Sequence, residues 1–162
     1  MPYVRSNLKK ARLILKSQLS ELSVAFVGDA EMSRLHEAYL GIAGPTDVLT
    51  FPLEQDKRGR DITGEVVVCV PEARRQAVLT GNSAREEVLL YALHGMLHLS
   101  GFDDKTPEGF RKMHRKEDEI LQHLGIGPVF DKARGTARAD GSRSRGDVRR
   151  KPKPIRRIAG EN

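Results

Sequence analysis

The sequence has a single cysteine, few aromatic residues and no long apolar run. Cys69 is the only cysteine among 162 residues, which excludes an internal disulfide framework and is typical of a reducing cytoplasm. Tryptophan is absent and aromatic residues make up 5% of the chain, so we expect no platform of aromatic side chains for stacking nucleic-acid bases. No apolar stretch approaches the ~20 residues of a transmembrane helix, and we expect no membrane partner.

The positive charge of the chain is unevenly distributed along the sequence. The chain has 28 Lys and Arg against 22 Asp and Glu, which gives a net charge of +6. Residues 131–162 contain 11 of these bases and 4 of the acids, so residues 1–130 are nearly neutral. We predict one folded domain over 1–130 and a disordered basic tail over 131–162. The basicity is thus assigned to the tail, and electrostatics alone do not show that the folded domain binds nucleic acid.

Hydrophobic periodicity predicts an α+β domain. β-rich runs at 22–27, 47–51 and 64–70 are typical of strands, and the continuous apolar run at 64–70 indicates burial on both faces. We interpret the charged segment 54–63 as an exposed connection. The expected architecture is a small mixed sheet of three to four strands covered by about five helices. Helical spacing of apolar residues places these helices at 4–17, 29–40, 72–80, 84–99 and 107–124, and Ser83 with Glu86 three residues later predicts a capping box at the start of 84–99.

The residues with metal-binding chemistry lie at the end of the central helix 84–99, which is apolar nearly all round. His94 and His98 are four residues apart, so both imidazoles lie on one helix face and can reach one ion. The chain can turn back after this helix and bring Asp103 or Asp104 to the same point. Two histidines and one carboxylate leave a tetrahedral zinc ion one open position for water. We therefore predict a metal cleft beside the central helix, with core histidines as the alternative; zinc fits this ligand set, as would nickel or copper.

The spacing of these histidines is similar to that of the HExxH metallopeptidases. In those enzymes the residue after the first histidine is a glutamate that acts as general base. Gly95 stands at this position, so the helix offers no base and peptide hydrolysis by that route is not expected. We interpret the missing side chain of Gly95 as room for a bulky substrate above the metal.

Two longer motifs resemble the YbeY family of metal-dependent endoribonucleases. The segment 94–104, HGMLHLSGFDD, is similar to the family signature HGxLHLxGxDH, which supplies three metal-binding histidines. The segment 45–52, PTDVLTFP, is similar to the family's PTDVLSFP strand, and 64–68 resembles its Gly-Asp-Ile strand. Order and spacing agree across about residues 20–125.

The resemblance implies a fold, an activity and a set of site residues. It implies a single-strand-specific endoribonuclease of the cytoplasm with one Zn²⁺, or another divalent transition metal. It also implies a role in rRNA processing, chiefly maturation of the 16S rRNA 3′ end, and in ribosome quality control. The metal ligands would be His94, His98 and Asp104, with Asp104 in place of the third family histidine. Residues behind the ligands or near the substrate would be Asp103, Thr46, Asp47 and His114.

The chain departs from the family pattern in two further places. Leu40 follows Tyr39 where the family usually has an arginine, so a guanidinium that would hold a phosphate is missing. The first strand of the family is also missing, unless Pro2–Val4 is its remnant. The general acid and base stay unassigned, and Leu40 favours an alternative: a non-catalytic ribosome-assembly factor with a structural zinc site.

The expected partners are ribosomal RNA and the ribosome or pre-ribosomal particles. The tail 131–162 has two interpretations. It is either a solvated extension or an arm that binds RNA phosphates with salt-sensitive, sequence-independent affinity.

Overall fold

Five helices and a three-stranded sheet make up the described part of the chain, residues 1–127 and 129, in this computed structural model. This architecture confirms the predicted α+β class. The tail 131–162 lies outside the described residues. The elements are α1 (Pro2–Leu15), β1 (Glu21–Val27), α2 (Asp29–Leu40), β2 (Val48–Gln55), β3 (Asp61–Cys69), α3 (Val70–Thr80), α4 (Ala84–Leu99) and α5 (Pro107–His123).

The sheet is mixed and has the order β1–β3–β2. The central strand β3 pairs in parallel with β1 and in antiparallel fashion with β2. Val66, Val67, Val68 and Cys69 are all buried, which confirms the predicted burial of this strand on both faces. Successive side chains of a strand point to opposite faces. Accordingly, Val66 and Val68 join the larger core, and Val67 and Cys69 join a smaller one.

The charged segment 54–63 is exposed over most of its length, as predicted, but it forms the end of a β-hairpin and not only a connection between strands. β2 continues to Gln55 and β3 already begins at Asp61. Asp56 closes the turn, because its Oδ1 accepts hydrogen bonds from two backbone N–H groups at 2.8 and 3.0 Å. The strand predicted at 47–51 also continues beyond residue 51 and includes Pro52, because β2 is an edge strand, where a residue without an N–H is tolerated.

The helix α4 lies at the centre of the domain. It packs against the sheet and against α1, α3 and α5. Its N-terminus has the predicted capping box: the Ser83 hydroxyl accepts from the Glu86 N–H at 3.3 Å, and the Glu86 carboxylate accepts from the Ser83 N–H at 2.8 Å. Because α4 is surrounded on all sides, side chains at its C-terminal end are buried without need of a long covering loop.

The helix α1 runs parallel to α4. At their N-terminal ends the Arg85 guanidinium lies 5.1 Å from the centre of the Tyr3 ring. At their C-terminal ends the Ser17 and Ser100 hydroxyl oxygens are 2.8 Å apart. Residues Pro2–Val4 belong to α1, so they are not a remnant of a strand. No helix of the described residues has the length and apolarity that crossing a bilayer requires.

Candidate metal centre

The C-terminal half of α4 and the loop after it bring His94, His98 and Asp104 together. The two histidines lie one helical turn apart, with ring centroids separated by 4.8 Å. Gly101 has a φ of +95°, a conformation that favours glycine, and it reverses the chain after the helix. Asp104 therefore returns to the histidines: its Oδ2 is 3.5 Å from His94 Nε2, and its Oδ1 is 3.7 Å from His98 Nε2.

The chemistry of this cluster fits a metal ion. The side chains of His94, His98 and Asp104 are only 9%, 4% and 2% exposed. His98 Nε2 and Asp104 Oδ1 are buried and have no hydrogen-bond partner, although buried polar atoms are nearly always hydrogen-bonded. Their separation of 3.7 Å is too long for a hydrogen bond between them. An ion between these atoms would satisfy both, and two imidazole nitrogens with one carboxylate are common ligands of transition metals.

Hydrogen bonds on the far side of each ring orient the two imidazoles. His98 Nδ1 donates to the backbone carbonyl of Phe102 at 3.1 Å. His94 Nδ1 bonds to the Oε1 atom of Glu117 on α5. Because both Nδ1 atoms are used in this way, both Nε2 atoms face Asp104. Such contacts fix the ring orientation of histidines that bind metals.

Glu117 belongs to the site but was not among the residues predicted from the sequence. It is fully buried, and its Oε2 accepts a hydrogen bond from His114 Nδ1 at 2.5 Å. His114 thus lies behind His94, with ring centroids 5.8 Å apart. These three side chains also lie close enough to share an ion, yet their facing atoms are already hydrogen-bonded to one another. A signal was available in the sequence, because Glu117 interrupts the apolar stripe of α5 formed by Met113, Ile120 and Leu121.

Burial and the two carboxylates set the charge of the imidazoles. Burial lowers the pKa of His94, but Glu117 and Asp104 outweigh this effect and raise that pKa to about 10. Burial and the neighbouring His94 charge lower the pKa of His98 to about 4, so His98 is neutral near pH 7. Burial opposes ionisation of Asp104, yet the contact with His94 holds its pKa below the ordinary value. A metal ion that binds His94 Nε2 must therefore displace a proton.

The other candidate residues Asp103, Thr46 and Asp47 have local roles in loops. Asp103 is exposed, and its Oδ1 accepts from the backbone N–H of Lys105 at 3.1 Å. The Oδ1 of Asp47 accepts from the Thr46 hydroxyl and from the Val48 N–H, both at 3.0 Å. Within residues 1–127 none of the three forms a hydrogen bond with the three clustered ligands.

Gly95 faces the sheet and not the side chains of His94, His98 and Asp104. A Cβ atom at Gly95 would lie 2.7 and 2.8 Å from the two methyl carbons of Val66, and 3.2 Å from Thr50 Oγ1. Gly64 allows an equally close contact from the side of β3, since a Cβ atom at Gly64 would lie 2.6 Å from the Leu99 side chain on α4. Both glycines thus let α4 and β3 pack closely. Our interpretation of Gly95 as room for substrate above the metal is wrong.

Leu40 is a packing residue at the end of α2. It is half-buried against the smaller core on the α2 face of the sheet. The neighbouring Tyr39 ring contacts the Phe51 ring edge-to-face, with centroids 5.0 Å apart. The place where the family usually has an arginine therefore supplies apolar and aromatic contacts and no positive charge.

A buried cluster of two histidines and a carboxylate, at the end of a central helix on a small mixed sheet, defines the class of the protein as an α+β domain whose buried side chains could hold a metal ion. The family profile described as "Endoribonuclease YbeY" matches residues 3–125. The chain therefore belongs to the YbeY endoribonuclease family, which confirms the resemblance of the motifs.

Relatives and a solved structure agree with this assignment. The Endoribonuclease YbeY of Beutenbergia cavernae is 42% identical over 109 residues, which cover 63% of this chain and 73% of the relative. That of Shouchella clausii is 36% identical over 128 residues, with coverage of 72% and 80%. The solution structure of TM1509 from Thermotoga maritima is similar with a TM-score of 0.55 and 29% identity, and the match covers 86% of this chain and 91% of that one.

Proposed function

We propose that this chain is a single-strand-specific, metal-dependent endoribonuclease that acts in rRNA processing. The observation that carries the proposal is the buried pair of atoms His98 Nε2 and Asp104 Oδ1, which face each other without hydrogen-bond partners. In a chain of the YbeY family, whose relatives are named endoribonucleases, this pair supports a metal site for RNA hydrolysis.

In this proposal His94, His98 and Asp104 hold one Zn²⁺. A bound zinc ion supplies a Lewis acid for a phosphodiester oxygen and lowers the pKa of a bound water toward about 7. The chain itself orients the ligands: Glu117 holds the ring of His94, and the Phe102 carbonyl holds the ring of His98. The near-complete burial of the cluster excludes bulk water, which strengthens the interactions of charges within it.

We assign the enzyme to the cytoplasm, with precursor 16S rRNA as substrate at its 3′ end and a role in ribosome quality control. The motif resemblance supports this assignment. The tail 131–162 lies outside the described residues, but its excess of Lys and Arg favours contact with RNA in ribosomes or pre-ribosomal particles.

Leu40 favours a second candidate function. Without a guanidinium after Tyr39, the chain lacks one group that would neutralise a phosphate during cleavage. The alternative is a non-catalytic ribosome-assembly factor in which the same three ligands hold a structural zinc ion.

Metal analysis combined with cleavage of precursor 16S rRNA tests the proposal. We expect wild type to bind one zinc ion per chain and to cleave the RNA. His98→Ala removes one ligand, and we expect metal affinity to fall by at least about 100-fold and cleavage to be lost. Asp103→Asn is the matched control, since this exposed acid touches none of the ligands; it keeps both properties.

The outcomes separate the candidate functions. Bound zinc without cleavage by wild type would reject the enzyme and leave the assembly factor. Absence of bound metal would reject both. A Leu40→Arg variant that cleaves faster than wild type would show that the missing guanidinium limits the rate.

A further inference from the structure

The near-zero net charge of residues 1–130 is the sum of a strongly positive helix, α1, and a negative remainder. Residues 1–16 contain five bases and no acid, whereas residues 17–130 contain 12 bases and 18 acids. The side chains of α1 and its C-cap therefore form a positive surface on a body whose remaining residues, 17–130, have a net negative charge. This finding corrects our assignment of the basicity to the tail alone.

Four of these bases form what we call the basic stripe: Arg5, Lys9, Arg12 and Lys16. At 100° per residue, spacings of four, three and four keep the four positions within a sector of about 60°, over a length of about 16 Å. The buried side chains of α1, Val4, Leu8 and Ala11, occupy a separate sector of the helix, centred about 100° from the stripe.

The charges of the basic stripe are available to a partner. Arg5, Lys9 and Lys16 are exposed, and no carboxylate of the described residues lies within ion-pair distance of them. Arg12 differs, since its guanidinium donates to the Ser20 carbonyl at 2.7 Å and ties down the end of the helix. Three unpaired charges in a row attract an extended polyanion more strongly than isolated surface lysines do.

The basic stripe ends near the C-terminus of α4, the helix that carries His94 and His98. Ser17 contacts Ser100, and Gln18 Nε2 donates to the Leu99 carbonyl at 3.3 Å, so the Lys16 end of α1 is joined to the end of α4 that carries His98. Ser100 also lines a cavity of about 400 Å³, which opens between the loop 100–103 and the first turns of α5. The stripe thus lies alongside α4 and ends near the loop that contains Asp104.

We infer that the basic stripe binds the phosphate backbone of RNA and guides a single strand toward the metal end of α4. The inference rests on the proposed function, because RNA is the polyanion on which that function acts. Lys and Arg that neutralise phosphates release counterions, so the contribution of the stripe is sequence-independent and decreases with salt. The stripe is a positioning surface and touches no reacting atom.

Binding of a single-stranded RNA of about 16 nucleotides at about 50 to 200 mM salt tests this inference on the full chain. The variant Arg5→Gln/Lys9→Gln/Lys16→Gln removes three charges and leaves Arg12 in place. The matched control Lys57→Gln/Arg58→Gln/Arg74→Gln removes three exposed charges from the β2–β3 hairpin and α3. Both variants keep the tail, and a metal titration with a thermal melt verifies that both are folded.

We expect the stripe variant alone to lose affinity, by up to about 100-fold at 0.1 M salt, with the slope of log K against log salt reduced by about 2. Equal slopes for the stripe variant and the control would overturn the inference, whatever the cleavage activity. A larger loss in binding of polyglutamate than of RNA would assign the stripe to an acidic protein and would also overturn it. If wild type binds RNA through the stripe but does not cleave it, the proposed function fails and the inference stands.

Discussion

The two ends of α4 each bury a glutamate carboxylate, and the partners of the two carboxylates differ. Near the N-terminus, Glu87 is 3% exposed and accepts hydrogen bonds from the Thr80 hydroxyl at 2.7 Å and the Asn82 amide at 2.8 Å. Near the C-terminus, Glu117 from α5 accepts from the imidazoles of His94 and His114. The hydroxyl and amide donors connect Glu87 to the end of α3 and the loop before α4, whereas the imidazoles connect Glu117 to the candidate metal site.

The hydrogen-bond networks around the two carboxylates also differ in the buried atoms that they leave without a partner. At the N-terminal end the Asn82 amide also donates to the Val129 carbonyl at 3.3 Å, and one buried atom of the network, Asn82 Oδ1, has no hydrogen-bond partner within the described residues. At the C-terminal end the network stops at His98 Nε2 and Asp104 Oδ1, which have no partner within the described residues. The difference is that the two atoms at the C-terminal end face each other and belong to side chains that commonly bind transition metals, whereas the atom at the N-terminal end is a single amide oxygen.

Replacement of each glutamate by glutamine gives the largest expected contrast. In Glu117→Gln the orienting carboxylate of His94 is lost, so we expect zinc affinity to fall by about 10- to 100-fold. In Glu87→Gln we expect unchanged zinc affinity and a loss of about 1 kcal/mol in the free energy of unfolding, because both donors bond to Oε1, which the glutamine keeps as a weaker, neutral acceptor. Competition with a chelator and urea denaturation measure the two quantities. Equal losses of zinc affinity in both variants would contradict the distinction between the two ends.

A substitution at Gly95 tests how α4 packs against the sheet, independently of metal binding. Alanine inside a helix normally stabilises it relative to glycine, but here the added methyl group would collide with the buried, stiff Val66 side chain. We expect Gly95→Ala to lower the free energy of unfolding by about 2 kcal/mol, measured by urea denaturation.

The control for this variant is Gly28→Ala, where a Cβ would meet no atom within 4 Å. We expect a smaller loss there, at most about 1 kcal/mol, from the changed N-cap of α2. A Gly95→Ala variant as stable as wild type would show that the approach of α4 to β3 does not require glycine.

Per pH unit, the change in metal affinity is the smallest of these expected effects, and it concerns the C-terminal end alone. The pKa of His94 is raised to about 10, so its ring is protonated near pH 7 and must lose a proton to bind a metal. Apparent zinc affinity should therefore rise by about tenfold per pH unit between about pH 6 and 8, since one proton is released per ion. Calorimetry in buffers of different ionisation enthalpy measures this release. An affinity that does not change with pH would contradict the assigned charge of His94.

Local signals in the sequence predicted much of the fold. The capping box of Ser83 and Glu86 and the buried run of β3 depend on neighbouring residues, and both are confirmed. The hairpin at 54–63 was missed because its residues are charged, and an edge strand with an exposed face tolerates such residues. Charged composition indicates exposure to solvent and does not exclude a strand.

Spatial partners in the site were harder to predict. Spacing on one helix pointed to His94 and His98, but Glu117 is 23 residues from His94 in sequence and meets it only when α5 packs on α4. The basic stripe was missed for another reason. The net charge of 1–130 averages a positive α1 with an acidic remainder, and averaging removes the pattern.

The position of Gly95 limits which chemistry this helix can acquire during evolution. A single substitution to glutamate would give the sequence the HExxH pattern, in which that glutamate serves as general base. Here the new side chain would start from a carbon pressed against Val66 and Thr50, and would force a charge into the packed layer between α4 and β3. The step from this helix to a peptidase helix therefore requires the sheet to move as well as one residue to change.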